Sequence, residues 1–280
     1  MHAVAGAVQD ARRAAAAAGP DAPREFRTAM VDVPPEPRFL PSGDGGLTVE
    51  FGQSIDEATS RAVVALADAL DAKRLPGLRE VVPTYRSLLV MFDPVALPRA
   101  ELIAAIVALR QAEGGVGAAG IADAPRWRVP VRYGGTHGAD LGAVAQHHGL
   151  SEEAVVALHC GTDYRVYMIG FAPGFSYLGG LPEALHTDRR RDPRPKTPPR
   201  SVSIGGQQAA VSPPLEIPSG WHLLGQTPVR TYDPRRAGRP FLFAPGDMIR
   251  FEPIGASDYA ALCAAAEHGE VVAVRDRSRG

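Results

Sequence analysis

The side chains best suited to binding a charged substrate lie in a basic, proline-rich segment at residues 188–200. The segment carries five arginines and one lysine against two aspartates, with four prolines among them. Prolines restrict the backbone, so the guanidinium groups are presented at a reduced entropic cost, and a guanidinium pairs bidentately with a carboxylate or a phosphate. The segment predicts an anion-binding loop. A solvated basic loop, or one that docks an acidic partner surface, is the alternative.

A second candidate site is the glycine- and aromatic-rich segment at residues 170–180, which follows a strongly apolar predicted strand. Glycine lets a backbone approach a ligand or a partner closely, and the aromatic side chains supply apolar walls. The segment predicts either a substrate or interface wall or a barrel corner packed by aromatics. The candidate contact residues are Gly170, Phe171, Pro173, Gly174, Phe175 and Tyr177.

Other motifs that would indicate a function are absent, incomplete or in the wrong structural context. The Gly115-x-Gly117-x-x-Gly120 match follows a predicted helix rather than a strand, which argues against a dinucleotide site. Ser176 lacks the glycine two residues later that a nucleophile elbow needs. Neither the H-x-x-x-H nor the C-x-x-C spacing occurs, so no metal site is expected. The Walker A motif is also missing, so ATP would be bound by another device.

Composition excludes further classes of protein. The 280 residues carry a formal net charge of −1, so nucleic-acid binding through a bulk basic field is not expected. No run of about 18 apolar residues is present, and the N-terminal stretch lacks the apolar core of a signal peptide, so no membrane span is expected. The only cysteines, Cys160 and Cys263, lack motif spacing and suit a cytoplasmic protein with free thiols.

The elements that must position these residues fall into five predicted segments. Residues 1–37 are predicted to be a flexible N-terminal extension, residues 38–113 a small α/β domain, and residues 114–126 a linker rich in glycine and alanine. Residues 127–267 alternate short apolar runs with glycine and proline, a pattern typical of a β-barrel or sandwich. Residues 268–280 are a C-terminal strand or tail.

The first helix of the α/β domain is predicted from a capping pattern. In Ser54-x-x-Glu57 the serine would cap an N-terminal amide and the glutamate would reach back to it. Ile55, Val63, Leu66 and Leu70 then fall near one helical face, which predicts the buried side of the helix. The order β-α-β-β-α over residues 38–113 places helices on one face of a small sheet.

Several long blocks in collinear order resemble a known family. They are Pro130–Leu141, Met168–Gly180, Asp192–Pro195, Ser201–Gln208, Gly220–Pro228 and Pro245–Asp247. Over residues 38–265 the chain resembles the KipI/PxpB family, which is also known as the B subunit of 5-oxoprolinase, allophanate hydrolase subunit 1 or carboxyltransferase subdomain C/D. The resemblance implies an α+β fold in which a small N-terminal α/β sandwich domain is followed by a cyclophilin-like β-barrel domain over residues 127–267.

The resemblance also implies an activity and partners. Family members form a heteromer with a PxpC/KipA-like subunit 2 (allophanate hydrolase subunit 2), and in some cases with a PxpA-like subunit. The complex uses ATP to open the small-molecule amide 5-oxoproline to glutamate, or is a related complex of the allophanate hydrolase type. Phosphorylation of the lactam oxygen would make the amide electrophilic before water attacks, and arginine or backbone donors would stabilise the charge that develops on that oxygen.

On this interpretation four residues are the candidate catalytic groups. His186 is the candidate acid or base, and Arg189, Arg194 and Gln208 are candidate ligands of an anion or a carbonyl. The Gly220–Pro228 block adds Trp221 and Thr227 to the predicted substrate or interface wall.

The chain departs from the family pattern at three places. Arg200 stands where the family usually has glycine, and Ala209-Ala210 stands where it usually has Thr-Gly. Ser219-Gly-Trp221 stands where it usually has Gly-Gly-Trp. These departures predict either an altered substrate or a subunit that keeps assembly without the standard activity. Two functions of other classes stay open: a regulatory protein that inhibits a sensor histidine kinase, and a proline-isomerase-like activity of the barrel alone.

Overall fold

The computed structural model describes residues 36–112 and 124–276. The predicted extension, residues 1–37, and the predicted linker, residues 114–126, therefore lie almost wholly outside the described residues, as do residues 277–280 of the predicted tail. The predicted boundaries of the five segments stay predictions.

An antiparallel sheet covered by two helices forms the N-terminal part of the described chain. Its strand order is β1-β2-β4-β3, and alternate residues of β2 and β4 point into a core with the apolar faces of α1 and α2. The elements are β1 (Arg38–Pro41), β2 (Gly46–Glu50), α1 (Glu57–Lys73), β3 (Leu78–Pro83), β4 (Ser87–Phe92) and α2 (Arg99–Ala112).

Helix α1 begins differently from the prediction. Asp56 is the N-cap, and its Oδ1 accepts a hydrogen bond from the Thr59 amide at 2.8 Å. Ser54 instead donates its hydroxyl to Asp56 Oδ2, also at 2.8 Å, so the predicted Ser54 cap is wrong. A carboxylate at this position satisfies an unpaired amide and complements the helix dipole. Ile55 precedes the helix and is 54% exposed. Buried as predicted are Val63, Leu66 and Leu70.

A closed seven-stranded β-barrel follows. Its strand order is β12-β9-β10-β7-β6-β13-β5, and β12 pairs with β5 to complete the ring. Strand β13 runs parallel to β5. Strand β14 pairs antiparallel with residues 126–128 of β5, at the end of the strand that β12 does not reach. The strands are β5 (Arg126–Tyr133), β6 (Tyr164–Ile169), β7 (Ser176–Gly179), β9 (Ser201–Gly205), β10 (Gln208–Val211), β12 (His222–Gln226), β13 (Met248–Pro253) and β14 (Val274–Asp276).

Helices and a short ribbon cover the barrel. Helix α4 begins at the predicted cap, because Ser151 Oγ accepts a hydrogen bond from the Ala154 amide at 3.1 Å. The ribbon pairs β8 with β11, so part of the basic segment at residues 188–200 is a strand rather than loop. These elements are α3 (Leu141–His148), α4 (Glu152–Cys160), a 3-10 turn (Glu183–Leu185), β8 (Arg194–Thr197), β11 (Ile217–Ser219) and α5 (Ala256–Glu267).

The barrel core contains one buried histidine. His159 is fully buried at the end of α4, and its ring stacks on Phe251 at a centroid distance of 4.7 Å. Its Nδ1 lies 2.8 Å from the Tyr133 hydroxyl. Burial lowers the pKa of His159 to about 3, so the ring is neutral at physiological pH. The arrangement of sheet, helices and barrel confirms the predicted α+β class.

Candidate functional site

An open cleft of about 290 Å³ lies where the β6–β7 loop meets the basic segment and the turn between β11 and β12. The two candidate segments predicted from the sequence, residues 170–180 and 188–200, thus come together. The Gly220–Pro228 block supplies the third side of the cleft. The cleft combines aromatic, proline and arginine side chains. It is lined by Phe171, Phe175, Tyr177, Arg189, Arg190, Pro193, Pro218, Ser219, Gly220 and Trp221.

The aromatic wall of the cleft is a set of edge-to-face contacts. The Phe175 ring lies 4.7 Å from Tyr177 and 6.2 Å from Trp221, measured between centroids. Phe175 and Trp221 are buried and pack on Ala210 of β10 beneath them. Such contacts stabilise a fixed arrangement of rings beyond the area that they bury. These rings, the aromatic wall, therefore give the cleft one rigid apolar side.

The wall continues into the N-terminal sheet through one tyrosine. Tyr85, in the turn between β3 and β4, lies 5.5 Å from the Tyr167 ring and 5.9 Å from the Tyr177 ring. Its hydroxyl oxygen is buried and has no hydrogen-bond partner among the described residues. Burial raises the pKa of Tyr85 far above its usual value, so the hydroxyl keeps its proton. The N-terminal sheet thus contributes to the support of the cleft.

Arg189 supplies the most accessible positive charge of the cleft. Its guanidinium carbon lies 5.3 Å from the centroid of the Trp221 ring, a cation–π contact. Arg189 is exposed and forms no ion pair with any carboxylate in the described part of the chain. Arg190 also lines the cleft, and its buried Nε has no partner among the same residues. Arg189 therefore has N–H groups available to an anion, whereas the unpaired N–H of Arg190 is buried.

Asp140 holds the basic segment in place. Arg194 Nη2 donates to Asp140 Oδ1 at 2.6 Å, and Arg190 Nη1 approaches the same oxygen at 3.4 Å. Asp140 Oδ2 accepts the Leu223 amide of β12 at 2.7 Å. Burial opposes the ionisation of this carboxyl, but the hydrogen bonds from Arg194 and the Leu223 amide hold the pKa of Asp140 below its usual value. One carboxylate thus fixes two sides of the cleft relative to each other.

The β6–β7 loop is held in an uncommon conformation. Phe171 has φ of 69° and is 65% exposed, a backbone position that costs a bulky residue on the order of 1 kcal/mol. Gly174 has φ of 85°, and a Cβ there would lie 2.7 Å from the Cβ of Tyr232. Only glycine fits at this point without displacing the neighbouring segment. The loop therefore presents an exposed phenylalanine at the rim of the cleft.

The cleft includes only some of the predicted site residues. His186 directly follows the 3-10 turn, with Nε2 at 3.1 Å from the Leu181 carbonyl. Gln208 pairs with Gly205 at the start of β10. Thr227 is buried and accepts the Val229 amide. Gly170, Pro173 and Gly174 belong to the loop but do not line the cleft, and Arg194 is bound to Asp140. The catalytic and binding roles of all the predicted residues stay predictions.

Sequence reasoning missed two residues of this region. Asp140 carries no usable signal, because the surplus arginines of a basic segment are usually solvated and need no buried carboxylate to pair them. Tyr85 carries none, since one tyrosine in a predicted turn gives no indication of its distant partners.

The described residues lack two further classes of site. Residues 36–112 and 124–276 contain no group of three or more His, Cys, Asp or Glu side chains placed to hold a metal ion. Over the same ranges, no helix has the length and apolar character needed to cross a membrane.

Comparison with known proteins gives one consistent result. Residues 37–243 match the family model described as carboxyltransferase domain, subdomain C and D. The B subunit of 5-oxoprolinase from Bacillus subtilis (strain 168) is 36% identical over 228 residues, which cover 78% of this chain and 93% of that protein. The B subunit of 5-oxoprolinase from Escherichia coli O157:H7 is 53% identical over 125 residues, covering 45% of this chain and 56% of that protein.

A solved structure agrees with these matches. The crystal structure of TTHA0988 superimposes with a TM-score of 0.67 at 40% identity, over 75% of this chain and 40% of that chain. The chain thus matches about half of the length of the E. coli relative and less than half of TTHA0988. The resemblance predicted from the sequence blocks is confirmed, and the chain belongs to the family of carboxyltransferase domains, subdomain C and D.

Proposed function

We propose that this chain is the B-type subunit of a heteromeric, ATP-dependent 5-oxoprolinase. The observation that carries the proposal is the cleft, in which the exposed Arg189 guanidinium lies against the aromatic wall formed by Phe175, Tyr177 and Trp221. 5-Oxoproline is a five-membered lactam with one carboxylate. Its ring faces suit the aromatic wall, and its carboxylate suits Arg189. The relatives, which are named as the B subunit of 5-oxoprolinase, support the same choice.

The reaction breaks the lactam C–N bond. The oxygen of water joins the carbonyl carbon, and the ring nitrogen leaves as the amine of glutamate with a proton. Negative charge develops on the carbonyl oxygen before the bond breaks, so pre-positioned donors lower the barrier. In this proposal Arg190, whose buried Nε is unpaired among the described residues, faces that oxygen while Arg189 holds the carboxylate. The γ-phosphoryl group of ATP passes to that carbonyl oxygen with release of ADP, and a second water releases the group as inorganic phosphate after the C–N bond breaks. No residue of the cleft is assigned to ATP.

The proposal includes a partner subunit. The relatives are named as subunits, which supports an assembly with a PxpC/KipA-like subunit 2 and, in some complexes, a PxpA-like subunit. The exposed Phe171 and the prolines at the rim of the cleft give this face an apolar border that a partner would cover. A reducing cytoplasm suits the two free cysteines, Cys160 and Cys263.

The test is an activity assay on the assembled complex. The chain is co-expressed with its subunit 2 partner, and ATP-dependent release of glutamate from 5-oxoproline is measured. Replacing Arg189 by Gln should raise KM for 5-oxoproline at least tenfold, because one charge-assisted contact is lost. Arg191→Gln is the matched control, since Arg191 is exposed in the same segment but does not line the cleft. An assembled complex without 5-oxoprolinase activity, combined with inhibition of kinase autophosphorylation by the chain alone, would favour the regulatory alternative.

A further inference from the structure

A second cleft, of about 240 Å³, lies between helix α1, which covers the N-terminal sheet, and the barrel. Its helical side includes Arg61, Val64 and Asp68, and its barrel side includes Arg165 of β6 and the turn at Gly246. None of its lining residues belongs to the aromatic cleft, where the function proposed above places 5-oxoproline.

Arg165 is a half-buried cation without a carboxylate partner. It forms no ion pair with any acidic residue of ranges 36–112 and 124–276, and its hydrogen bonds to Ser60 Oγ and the Gly246 carbonyl are both long, at 3.4 Å. Burial lowers the pKa of Arg165, and the nearby charge of Arg61 adds to this effect. The charges of Glu57 and Asp247 oppose it. A partly buried guanidinium with no carboxylate at salt-bridge distance keeps N–H groups that are poorly satisfied, so this position suits a site that an anion completes.

Arg61 brings a second guanidinium to the same cleft from the opposite side. Its side chain is only 23% exposed, and its Nη1 is held by Glu57 one turn earlier at 2.8 Å. Its Nε is buried and has no partner among the described residues. The salt bridge to Glu57 fixes the orientation of the guanidinium while leaving that N–H unused.

The buried carboxylate of the lining is committed to the barrel. Asp247 is 4% exposed, and its Oδ2 accepts the Trp127 indole N–H at 2.9 Å and the Ala244 amide at 3.1 Å. Within the described part of the chain it forms no ion pair with Arg61 or Arg165. The other carboxylate of the lining, Asp68, is exposed at the rim.

We propose that Arg61 and Arg165 form a binding site for a phosphate group at the junction of the N-terminal sheet and the barrel. Two guanidiniums from opposite walls match a doubly charged tetrahedral anion better than they match a single carboxylate. The phosphate is either free inorganic phosphate or part of a nucleotide such as ATP. Because Arg61 lies on helix α1 and Arg165 lies on strand β6 of the barrel, the bound phosphate also links these two elements.

The experiment uses the full chain without partner subunits, so its outcome is independent of 5-oxoprolinase activity. Binding of inorganic phosphate, ATP, sulfate and 5-oxoproline is measured in separate titrations by calorimetry, and inorganic phosphate is also followed by phosphorus NMR. Phosphate or ATP should bind more tightly than 5-oxoproline. Arg165→Gln and Arg61→Gln should each raise the Kd at least tenfold. Arg128→Gln, which removes an exposed arginine paired with Glu252 and Asp276 elsewhere on the barrel, should leave it unchanged.

These titrations distinguish a site for free phosphate, a site for a nucleotide and the absence of a site. Binding of inorganic phosphate that both variants weaken supports the site with free phosphate as a ligand, and binding of ATP alone that both variants weaken supports it with a nucleotide as the source. Absence of binding to either ligand overturns the proposal, as does binding that neither substitution changes. If Arg165→Gln does not fold by circular dichroism, Arg165→Lys takes its place, because it keeps the charge but loses the planar pair of donors.

Discussion

Asp140 and Arg194 are joined by a 2.6 Å hydrogen bond between Oδ1 and Nη2, and the other oxygen of Asp140 accepts the Leu223 amide of β12. The basic segment and the strand behind Trp221 are thus tied to one carboxylate. An arginine that the sequence presents as a substrate ligand is engaged within the protein, whereas Arg189, five residues earlier, faces the cleft. The positive charge offered to a ligand is therefore smaller than the composition of the segment indicates.

Replacing Asp140 by Ala is expected to lower the free energy of unfolding by about 2 to 4 kcal/mol, because the substitution leaves two arginines and a buried amide without their acceptor. Denaturant unfolding monitored by circular dichroism measures the change. Asp163→Ala is the control. That aspartate is 34% exposed and pairs with Arg126 and Arg250, and its loss should cost less than about 1 kcal/mol. Equal losses in the two variants would contradict the role given to Asp140.

Gly174→Ala should destabilise the chain by more than about 2 kcal/mol, since the new Cβ would both require a positive φ and meet the Cβ of Tyr232 at 2.7 Å. Gly206→Ala separates these two causes. Gly206 has φ of 62° but nothing within 4 Å of an added Cβ, so only the conformational cost, about 1 kcal/mol, applies there. Thermal and denaturant unfolding of both variants gives the comparison. A loss at Gly174 no larger than that at Gly206 would rule out the predicted clash.

Arg200 stands where the family usually has glycine, and the structure gives it a φ of 61°. Its guanidinium ion-pairs with Glu267 of α5 at 3.4 Å. Arg200→Gly and Arg200→Ala both lose this contact, but only alanine keeps the backbone strain. The glycine variant should therefore be more stable than the alanine variant by about 1 kcal/mol, as measured by denaturant unfolding. An alanine variant at least as stable as the glycine variant would show that the strain is not present in solution.

His159 predicts a pH dependence of stability. Its folded pKa is about 3, whereas an unfolded histidine titrates near about 6.5, so the unfolded chain binds the extra proton between these values. The stabilisation is complete above about pH 6.5 and is lost as the pH falls, with a slope of about 1.4 kcal/mol per pH unit. Unfolding free energies measured between about pH 4 and pH 8 should show a slope against pH. In the acidic part of this range His159→Gln should reduce that slope by about 1.4 kcal/mol per pH unit, which corresponds to one proton. A slope that is unchanged in this variant would mean that His159 is not the group responsible.

Local signals predicted much of the fold. The buried stripe of α1 at Val63, Leu66 and Leu70 follows from helical spacing, and Ser151 acts as the cap that its position predicts. The start of α1 was missed because Asp56 and Ser54 are capping groups of similar strength, and the pattern alone does not rank the two. Strand β8 was missed because a segment dense in arginine and proline resembles a loop, and its pairing with β11 is a distant contact.

The site was predicted less completely than the fold. Phe171, Phe175, Tyr177, Arg189 and Trp221 line one cleft, as their residue types suggested. His186 and Gln208 lie outside it, because chemical type says nothing about which way a side chain is turned. The contacts of Tyr85 and Asp140 join residues far apart in sequence, and such contacts become visible only once the chain is folded.

The closure of the barrel through β5 has a consequence for synthesis of the chain. Strand β5 pairs in parallel with β13, and Trp127 donates to Asp247, 120 positions later. During translation the strands of the N-terminal sheet leave the ribosome as near neighbours, whereas β5 emerges long before its partner. The edges of β5 therefore stay unpaired until β12, β13 and β14 have been made, and nascent-chain chaperones would meet them in that state.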